Sequence, residues 1–185
     1  MSPHSIAIVG LGALLPGASD AEAWLAADTS ALTPPPAGRF PAPLPALGLA
    51  GLRGGFVHSD VPATRWVEHV VRAALPATRA RTSLVLARLG LPTTRFARAV
   101  GQPIADQLGH HVPWLEGPTE RASAEVLSAE AREELGLERL TALDAACASG
   151  LYALALAADQ LLRGEVDCAL AVAEQRSDSS YLFLG

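Results

Sequence analysis

The 185-residue sequence contains neither lysine nor asparagine, and only two of its residues are cysteines, Cys147 and Cys168. A disulfide framework is not expected in so large and apolar a chain without a secretion signal. No apolar run reaches the length of a membrane span, because even Gly150–Leu162 is short and contains Asp159. The net charge of −5 argues against a nucleic-acid-binding protein.

Half of the residues are hydrophobic, so we expect residues 1–185 to form one folded domain, in a cytoplasmic protein. No Lys or Arg precedes the apolar start of the chain, so we interpret Ile6–Val9 as a buried first strand rather than a signal peptide. Charge is uneven, with seven arginines against one glutamate in Val61–Ile104 and seven glutamates in Glu116–Glu138. The basic stretch could dock an acidic partner, although two solvated faces are the preferred interpretation.

Hydrophobic periodicity and turn residues predict helices that alternate with strands. In the first part of the chain, the pattern predicts a helix capped at Ser19–Glu22, with Trp24 and Leu25 on its apolar face. A Pro-rich connector follows at Thr33–Pro45. Next come a helix that starts after Asp60 and ends at Pro76, and a strand at Thr82–Ala87. The second part reads as mixed structure at Thr93–Gln107, a loop at Gly109–Pro118, a helix at Ser128–Leu135 ended by Gly136, a strand at Thr141–Asp144, a helix at Ser149–Arg163 ended by Gly164, and a strand at Val166–Ala173. The last three elements form a parallel, right-handed βαβ unit, and the alternation indicates an α/β layered fold.

Two of these helices have an apolar face in the sequence. The helix before Pro76 places on one side Trp66, Val67, Val70, Val71 and Ala74, and on the other Arg65, Glu68, His69 and Arg72. The helix after Ser149 carries its apolar face on Leu151, Leu154, Ala155, Ala158, Leu161 and Leu162.

The most informative segment for function is Asp144–Leu151, with the sequence DAACASGL, which joins a short apolar strand to a long Ala/Leu helix. Cys147 stands at the start of that helix, over the unpaired N–H groups of its first turn and the positive end of its dipole. That place favours the thiolate, which is the nucleophilic form of cysteine. The pattern predicts Cys147 as a covalent nucleophile, against the alternative of a small buried residue at a strand–helix junction. Cys168 lies in a predicted buried strand and is interpreted as structural.

Other residues with possible chemistry give no comparable signal. Gly10 and Gly12 follow the first strand as in a dinucleotide loop, but Leu15 occupies the place of the third glycine, so no dinucleotide cofactor is predicted. We interpret the histidines as solvent-facing residues and predict no metal site; they are His4, His58, His69, His110 and His111.

The segment Asp144–Leu151 closely resembles the active-site cysteine motif of the β-ketoacyl synthases, the condensing enzymes of fatty-acid and polyketide synthesis. Leu162–Ala171 resembles the segment that follows this motif in the family. Ile6–Gly12 with Leu15–Gly17 resembles the start of the family, and Thr82–Leu86 resembles its middle strand. Among relatives, the modular polyketide and polyunsaturated fatty-acid synthases look most similar.

The resemblance implies a thiolase-like α/β fold made of two similar halves, of which this chain holds the N-terminal half, a mixed sheet with helices on both faces. It also implies that Cys147 accepts an acyl group from an acyl carrier protein or coenzyme A thioester. A carbanion released from a malonyl thioester by decarboxylation would then attack the acyl-enzyme. The Cys147 N–H would be a natural oxyanion donor, while Asp144 and Ser149 would have supporting places at the strand end and in the turn, without being catalytic.

The chain departs from the family in length, since members are about twice as long and their two catalytic histidines lie in the second half. Those histidines belong to an HGTGT-like motif and a later Gly-His motif, which are not matched here, and the stretch between Gly55 and Thr82 is shorter than in relatives. One expected function is an acyltransferase of the β-ketoacyl synthase type, working as a homodimer or with a separate C-terminal half. The alternative is a catalytically incomplete remnant that binds a condensing enzyme or an acyl carrier protein. A third possibility is a cysteine-based acyl-transfer or hydrolase domain of another line.

Overall fold

Helices and strands alternate along the part of the chain that this computed structural model describes. It covers residues 5–18, 20–27, 30–36, 51–62, 65–76, 81–88 and 127–175, with the single residues 103, 106, 107 and 109. In chain order the elements are α1 (Ala21–Ala26), α2 (Trp66–Ala74), β1 (Thr82–Arg88), α3 (Ala129–Glu134), β2 (Leu137–Leu143), a 3-10 turn (Ala146–Ala148), α4 (Ser149–Leu162) and β3 (Cys168–Glu174). The predicted α/β fold class is confirmed.

β1 is the central strand of a parallel sheet with the order β2-β1-β3. Leu84 in the middle of β1 lies opposite Leu140 of β2 on one side and Leu170 of β3 on the other. β2 and β3 therefore run parallel, as the predicted βαβ unit requires, but β1 separates them. The mixed pairing of the expected sheet is absent from these three strands.

One face of the sheet is covered by α2 and α3. Leu84 and Leu86 of β1 pack there with Val67 and Val71 of α2 and with Leu135, directly after α3, and all five side chains are buried. Because α4 covers the opposite face, β1 is buried on both sides. Its uninterrupted apolar sequence reflects this double burial, as is usual for a central parallel strand.

α4 turns two alanines toward the sheet, with Leu156 partly buried beside them, and turns Leu151, Leu154 and Leu162 away from it. Ala153 and Ala157 are buried against Val85 and Ala87 of β1. The expected apolar face of this helix is wrong, because alanine lets helix and strand approach closely and the larger side chains then have no room between them. The exposed fractions on the outer side are 75% for Leu151, 57% for Leu154 and 53% for Leu162.

A single buried polar pair joins α4 to β1 among the described side-chain contacts between these two elements. The Ser83 hydroxyl donates a hydrogen bond to Oε1 of Gln160 at 2.5 Å. Ser83 is fully buried and Gln160 is 5% exposed, so water has little access to either group. The pair ties one side of α4 to one position of the central strand.

The segment Ile6–Val9 is not the buried strand that its sequence predicts. It has no regular structure, and Ile8 and Val9 are 86% and 70% exposed. Gly10 and Gly12 instead lie directly against the backbone of α2, where an added Cβ would overlap the carbonyl oxygens of Ala74 and Val70. The two glycines thus allow the chain to cross α2 at close distance. The segment that precedes them does not pair with any strand of the described sheet.

Local signals at the start of α1 and at both ends of α3 and α4 agree with the structure to within a residue, whereas α2 begins at Trp66, six residues after the expected start at Asp60. Asp20 caps α1 by accepting a hydrogen bond from the Ala23 N–H at 2.7 Å, while Ser19 lies outside the described residues. Ser128 caps α3, as expected, by accepting from the Ala131 N–H at 3.1 Å, and Gly136 ends that helix with a φ of 64°. α1 nevertheless buries no residue, so its expected apolar face, Trp24 and Leu25, is exposed to solvent at 43% and 75%.

Glu68 of α2, expected on the solvated face, is 91% buried beneath two arginines, a correction to the helix pattern. Arg65 and Arg72 each lie 2.9 Å from Oε1 of Glu68, and Arg72 also reaches Glu134 of α3 at 2.6 Å. Hydrogen bonds from Arg65 and then Arg72, acting against burial, lower the pKa of Glu68 from 4.5 to about 2. The network links α2 to α3.

Another arginine, Arg81, positions the start of β3. Arg81 holds Asp167 through its guanidinium at 2.8 Å and also donates to the carbonyl oxygens of Gly164 and Glu165, both at 3.2 Å. These contacts join the residue before β1 to the turn after α4. At these positions the basic stretch is matched by acids of the same chain, in keeping with the solvated-face interpretation.

Several sequence predictions concern residues outside the described part of the chain. They are the Pro-rich connector beyond Pro36, most of Thr93–Gln107 and Gly109–Pro118, and the histidines His4, His110 and His111. At the near end of the connector, Thr33 and Gly54 exchange backbone hydrogen bonds at 2.9 Å. Within the described residues no helix is long and apolar enough to cross a membrane.

Candidate active site at the end of β2

Cys147 lies in the 3-10 turn between β2 and α4, with its side chain exposed. Ala148 is the N-terminal cap of α4, so the cysteine lies two residues before Ser149, the first residue of the helix. Cys147 therefore lies at the strand–helix junction that the sequence predicted. We call the segment Asp144–Ser149, from the end of β2 to the first residue of α4, the elbow.

The elbow contains an alanine in a left-handed conformation. Ala146, directly before the cysteine, has a φ of 51°, which residues with a Cβ adopt at a cost of about 1–2 kcal/mol. The carboxylate of Asp144 accepts a hydrogen bond from the Ala146 N–H at 3.0 Å. Nothing in the sequence signals this backbone conformation, because turn prediction looks for Gly, Asn or Asp at such a position.

Ser149 closes the elbow from the other side. Its hydroxyl oxygen accepts a hydrogen bond from the Ala145 N–H at 2.8 Å, and the same hydroxyl donates to the Ala146 carbonyl at 2.7 Å. Ser149 is only 7% exposed. The expected supporting place of Asp144 and Ser149 in the turn thus corresponds to hydrogen bonds on both sides of Ala146.

An apolar surface adjoins the elbow. Leu151 and Tyr152, in the first turn of α4, are 75% and 61% exposed. Cys147 is exposed as well, four and five residues earlier in the chain.

The second thiol has a different environment. Cys168 is half-buried at the start of β3, and burial raises its pKa, partly offset by a hydrogen bond with Thr82. Because a neutral thiol is a poor nucleophile, this environment disfavours reaction at Cys168. The prediction that the two cysteines differ in surroundings agrees with the structure.

The histidines of the described part of the chain are dispersed. His58 shares a hydrogen bond of 3.1 Å with the Thr33 hydroxyl, beside an open groove of about 570 Å³, and His69 is exposed on α2. Among the residues described, no group of three His, Cys, Asp or Glu side chains is placed to hold a metal ion. Cys147 is thus the candidate nucleophile around which the site is built.

The fold and the elbow define an α/β protein with an exposed cysteine at a strand–helix junction. Residues 102–181, which include the elbow, α3, α4, β2 and β3, match the family model of the β-ketoacyl synthase, N-terminal domain. Over these residues the chain is similar to that family, and this match supports the resemblance seen in the sequence. Neither a curated protein nor a solved structure matches the chain.

Proposed function

We propose that residues 1–185 form the N-terminal half of a β-ketoacyl synthase-type acyltransferase, in which Cys147 carries the acyl group. The observation that carries the proposal is the exposed thiol held two residues before α4, inside the segment that matches the family. The positive end of the dipole of α4 faces the elbow, which supports the proposal that negative charge develops there during the reaction. Cytoplasmic location and similarity to modular polyketide and polyunsaturated fatty-acid synthases belong to the same proposal.

The first step is transfer of an acyl group from a phosphopantetheine thioester on an acyl carrier protein. The Cys147 thiolate attacks the thioester carbonyl carbon, and the negative charge passes to the carbonyl oxygen. The backbone N–H of Cys147 is the candidate donor to that oxygen. Collapse breaks the carbon–sulfur bond to the carrier, which leaves as a thiolate and takes up a proton, while the acyl group stays on Cys147.

The second step is condensation with a malonyl thioester. Loss of carbon dioxide from the malonyl group leaves a carbanion, which attacks the acyl carbonyl on Cys147. The Cys147 thiolate is released, and a β-ketoacyl thioester remains on the carrier. The family resemblance places the two histidines that assist this step in a second half, which a longer gene product or a separate C-terminal half would supply.

A second candidate function is a binding partner of a condensing enzyme or a carrier protein, without chemistry of its own. The exposed Leu151, Tyr152 and Leu154 favour it, because an apolar helix face of this kind is a common protein-binding surface. It predicts stable association with such a partner in a variant that lacks the Cys147 thiol.

The test is incubation with an acyl-coenzyme A or an acyl-carrier thioester, followed by intact mass measurement. We expect a single acyl adduct on the unmodified chain and on Cys168→Ala, and none on Cys147→Ala. Absence of an adduct, under conditions that label a complete ketosynthase, would remove the enzymatic proposal for this chain and leave the binding function. An adduct that survives Cys147→Ala would place the chemistry elsewhere.

A further inference from the structure

We propose that Ser149 is a positioning residue for Cys147, acting through the left-handed Ala146 rather than on the substrate. Its hydroxyl bonds the backbone on both sides of that residue, at the Ala145 N–H and at the Ala146 carbonyl. The proposal deepens the proposed function, since it concerns the same thiol. Its decisive measurement, however, is the reactivity of Cys147 toward a small reagent, which requires no acyl transfer.

The conformation of Ala146 explains why the two hydrogen bonds of the Ser149 hydroxyl, which we call the clamp, are needed. A left-handed residue that carries a Cβ persists only where the surrounding contacts over-determine it. Three side-chain hydrogen bonds contribute here: the Ser149 hydroxyl accepts from the Ala145 N–H and donates to the Ala146 carbonyl, and Asp144 accepts from the Ala146 N–H. Without the hydroxyl, the carboxylate and the backbone bonds of the 3-10 turn, Ala148 N–H to Ala145 and Ser149 N–H to Ala146, would remain. Ala146 would then be held less firmly, and rotation about it would redirect Cys147, the next residue.

Serine has the properties that this clamp requires. A hydroxyl can accept one hydrogen bond and donate another through the same atom, which a carboxylate cannot do. Ser149 is 93% buried, so a water molecule has little room to replace its hydroxyl. Cys147 is exposed while the group that fixes its backbone is buried, and a reagent in solution therefore reaches the thiol without touching the clamp.

The test compares alkylation rates of both cysteines with iodoacetamide, resolved by peptide mass spectrometry, with Cys168 as a reporter of folding. In Ser149→Ala we expect the Cys147 rate to fall about three- to tenfold, from the loss of two hydrogen bonds, while Cys168 stays slow. Ser149→Thr, which keeps the hydroxyl, should restore most of the rate. A merely structural serine would instead speed labelling of Cys168 and leave the folded-state rate of Cys147 unchanged.

A second variant separates the backbone effect from a general loss of stability. In Ser149→Ala/Ala146→Gly, glycine adopts the positive φ without a clamp, so we expect the Cys147 rate to return to within about twofold of the wild type. This comparison also applies if Ser149→Ala alone fails to fold. The proposal would be overturned if the folded double variant were alkylated at Cys147 as slowly as folded Ser149→Ala. It would also be overturned if folded Ser149→Ala were alkylated at Cys147 at the wild-type rate.

Acylation with an acyl-coenzyme A is measured on the same variants. If the wild type is alkylated at Cys147 but never acylated, the proposed function fails and the alkylation rates still decide the role of Ser149. If acylation occurs and does not depend on Ser149, while alkylation is equally unaffected, the positioning role fails and the proposed function stands.

Discussion

The buried contact between Ser83 and Gln160 offers a quantitative test of how α4 is held on the sheet. Ser83→Ala would remove the donor and leave the Gln160 carbonyl oxygen buried without it. Ser83 is fully buried and Gln160 is 5% exposed, so solvent cannot readily substitute. We expect Ser83→Ala to lower the free energy of unfolding by about 1–3 kcal/mol, the usual penalty for a buried polar group that loses its partner.

Replacing both partners should undo much of that loss. In Ser83→Ala/Gln160→Leu no polar side chain remains at the contact, and leucine is close to glutamine in size. We expect the double variant to lie within about 1 kcal/mol of the wild type, because replacement of both partners by apolar groups is nearly neutral. The two substitutions should therefore show a coupling energy of about 1–2 kcal/mol, as expected for residues in direct contact.

The assay is urea unfolding followed by far-UV circular dichroism, with thermal midpoints as a second readout. In a chain of this length, a loss of 1 kcal/mol corresponds to about 2–4 °C in the midpoint. Ser5→Ala, at an exposed serine, is the matched control and should change stability by less than about 0.5 kcal/mol. The reasoning is refuted if Ser83→Ala behaves like this control, or if the effects of the two single variants simply add.

Further predictions concern a charge, two glycines and the two thiols. Because folding lowers the pKa of Glu68 from 4.5 to about 2, its ion pairs stabilise the fold fully above pH 4.5 and progressively less as the pH approaches 2. The difference in thermal midpoint between the wild type and Glu68→Gln should therefore shrink over that pH range. A difference that stays constant would contradict the ion pairing. Gly12→Ala should lower the midpoint because its Cβ meets the backbone of α2, whereas Gly150→Ala, with only an ordinary contact at 3.8 Å, should be neutral or gain about 0.5 kcal/mol; equal effects in the two variants would refute the close crossing. Iodoacetamide should label Cys147 about tenfold faster than Cys168 in the folded chain, and equal rates would remove the distinction between the two thiols.

Local chemistry predicted the elements whose ends carry their own signals. α3 begins after Ser128 and ends before Gly136 in the structure, as the sequence predicted. The apolar run of β1 predicted a buried strand, which is the central strand of the sheet. The orientation of α4 could not be read in the same way. Its five leucines outnumber its four alanines, but close packing on a sheet selects the side chains that fit, and the alanines at positions 153 and 157 fit better.

Longer-range contacts account for the remaining differences. Ile6–Val9 has the composition of a strand, but the two glycines that follow it pack against α2, and the segment pairs with none of the three described strands. The position of Cys147 followed from its neighbours in sequence. The left-handed Ala146 and the double role of the Ser149 hydroxyl could not, because both depend on how the end of β2 meets α4 in space.

The central place of β1 has a consequence for synthesis of the chain. This strand is translated first of the three, and its partners β2 and β3 begin about fifty and eighty residues later. At a synthesis rate of about 5–20 residues per second, β2 is made several seconds after β1, and β3 is made later still. Newly made chains therefore pass through a stage in which the most apolar strand has no neighbour, so expression at low temperature or with a holdase chaperone should raise the yield of folded protein.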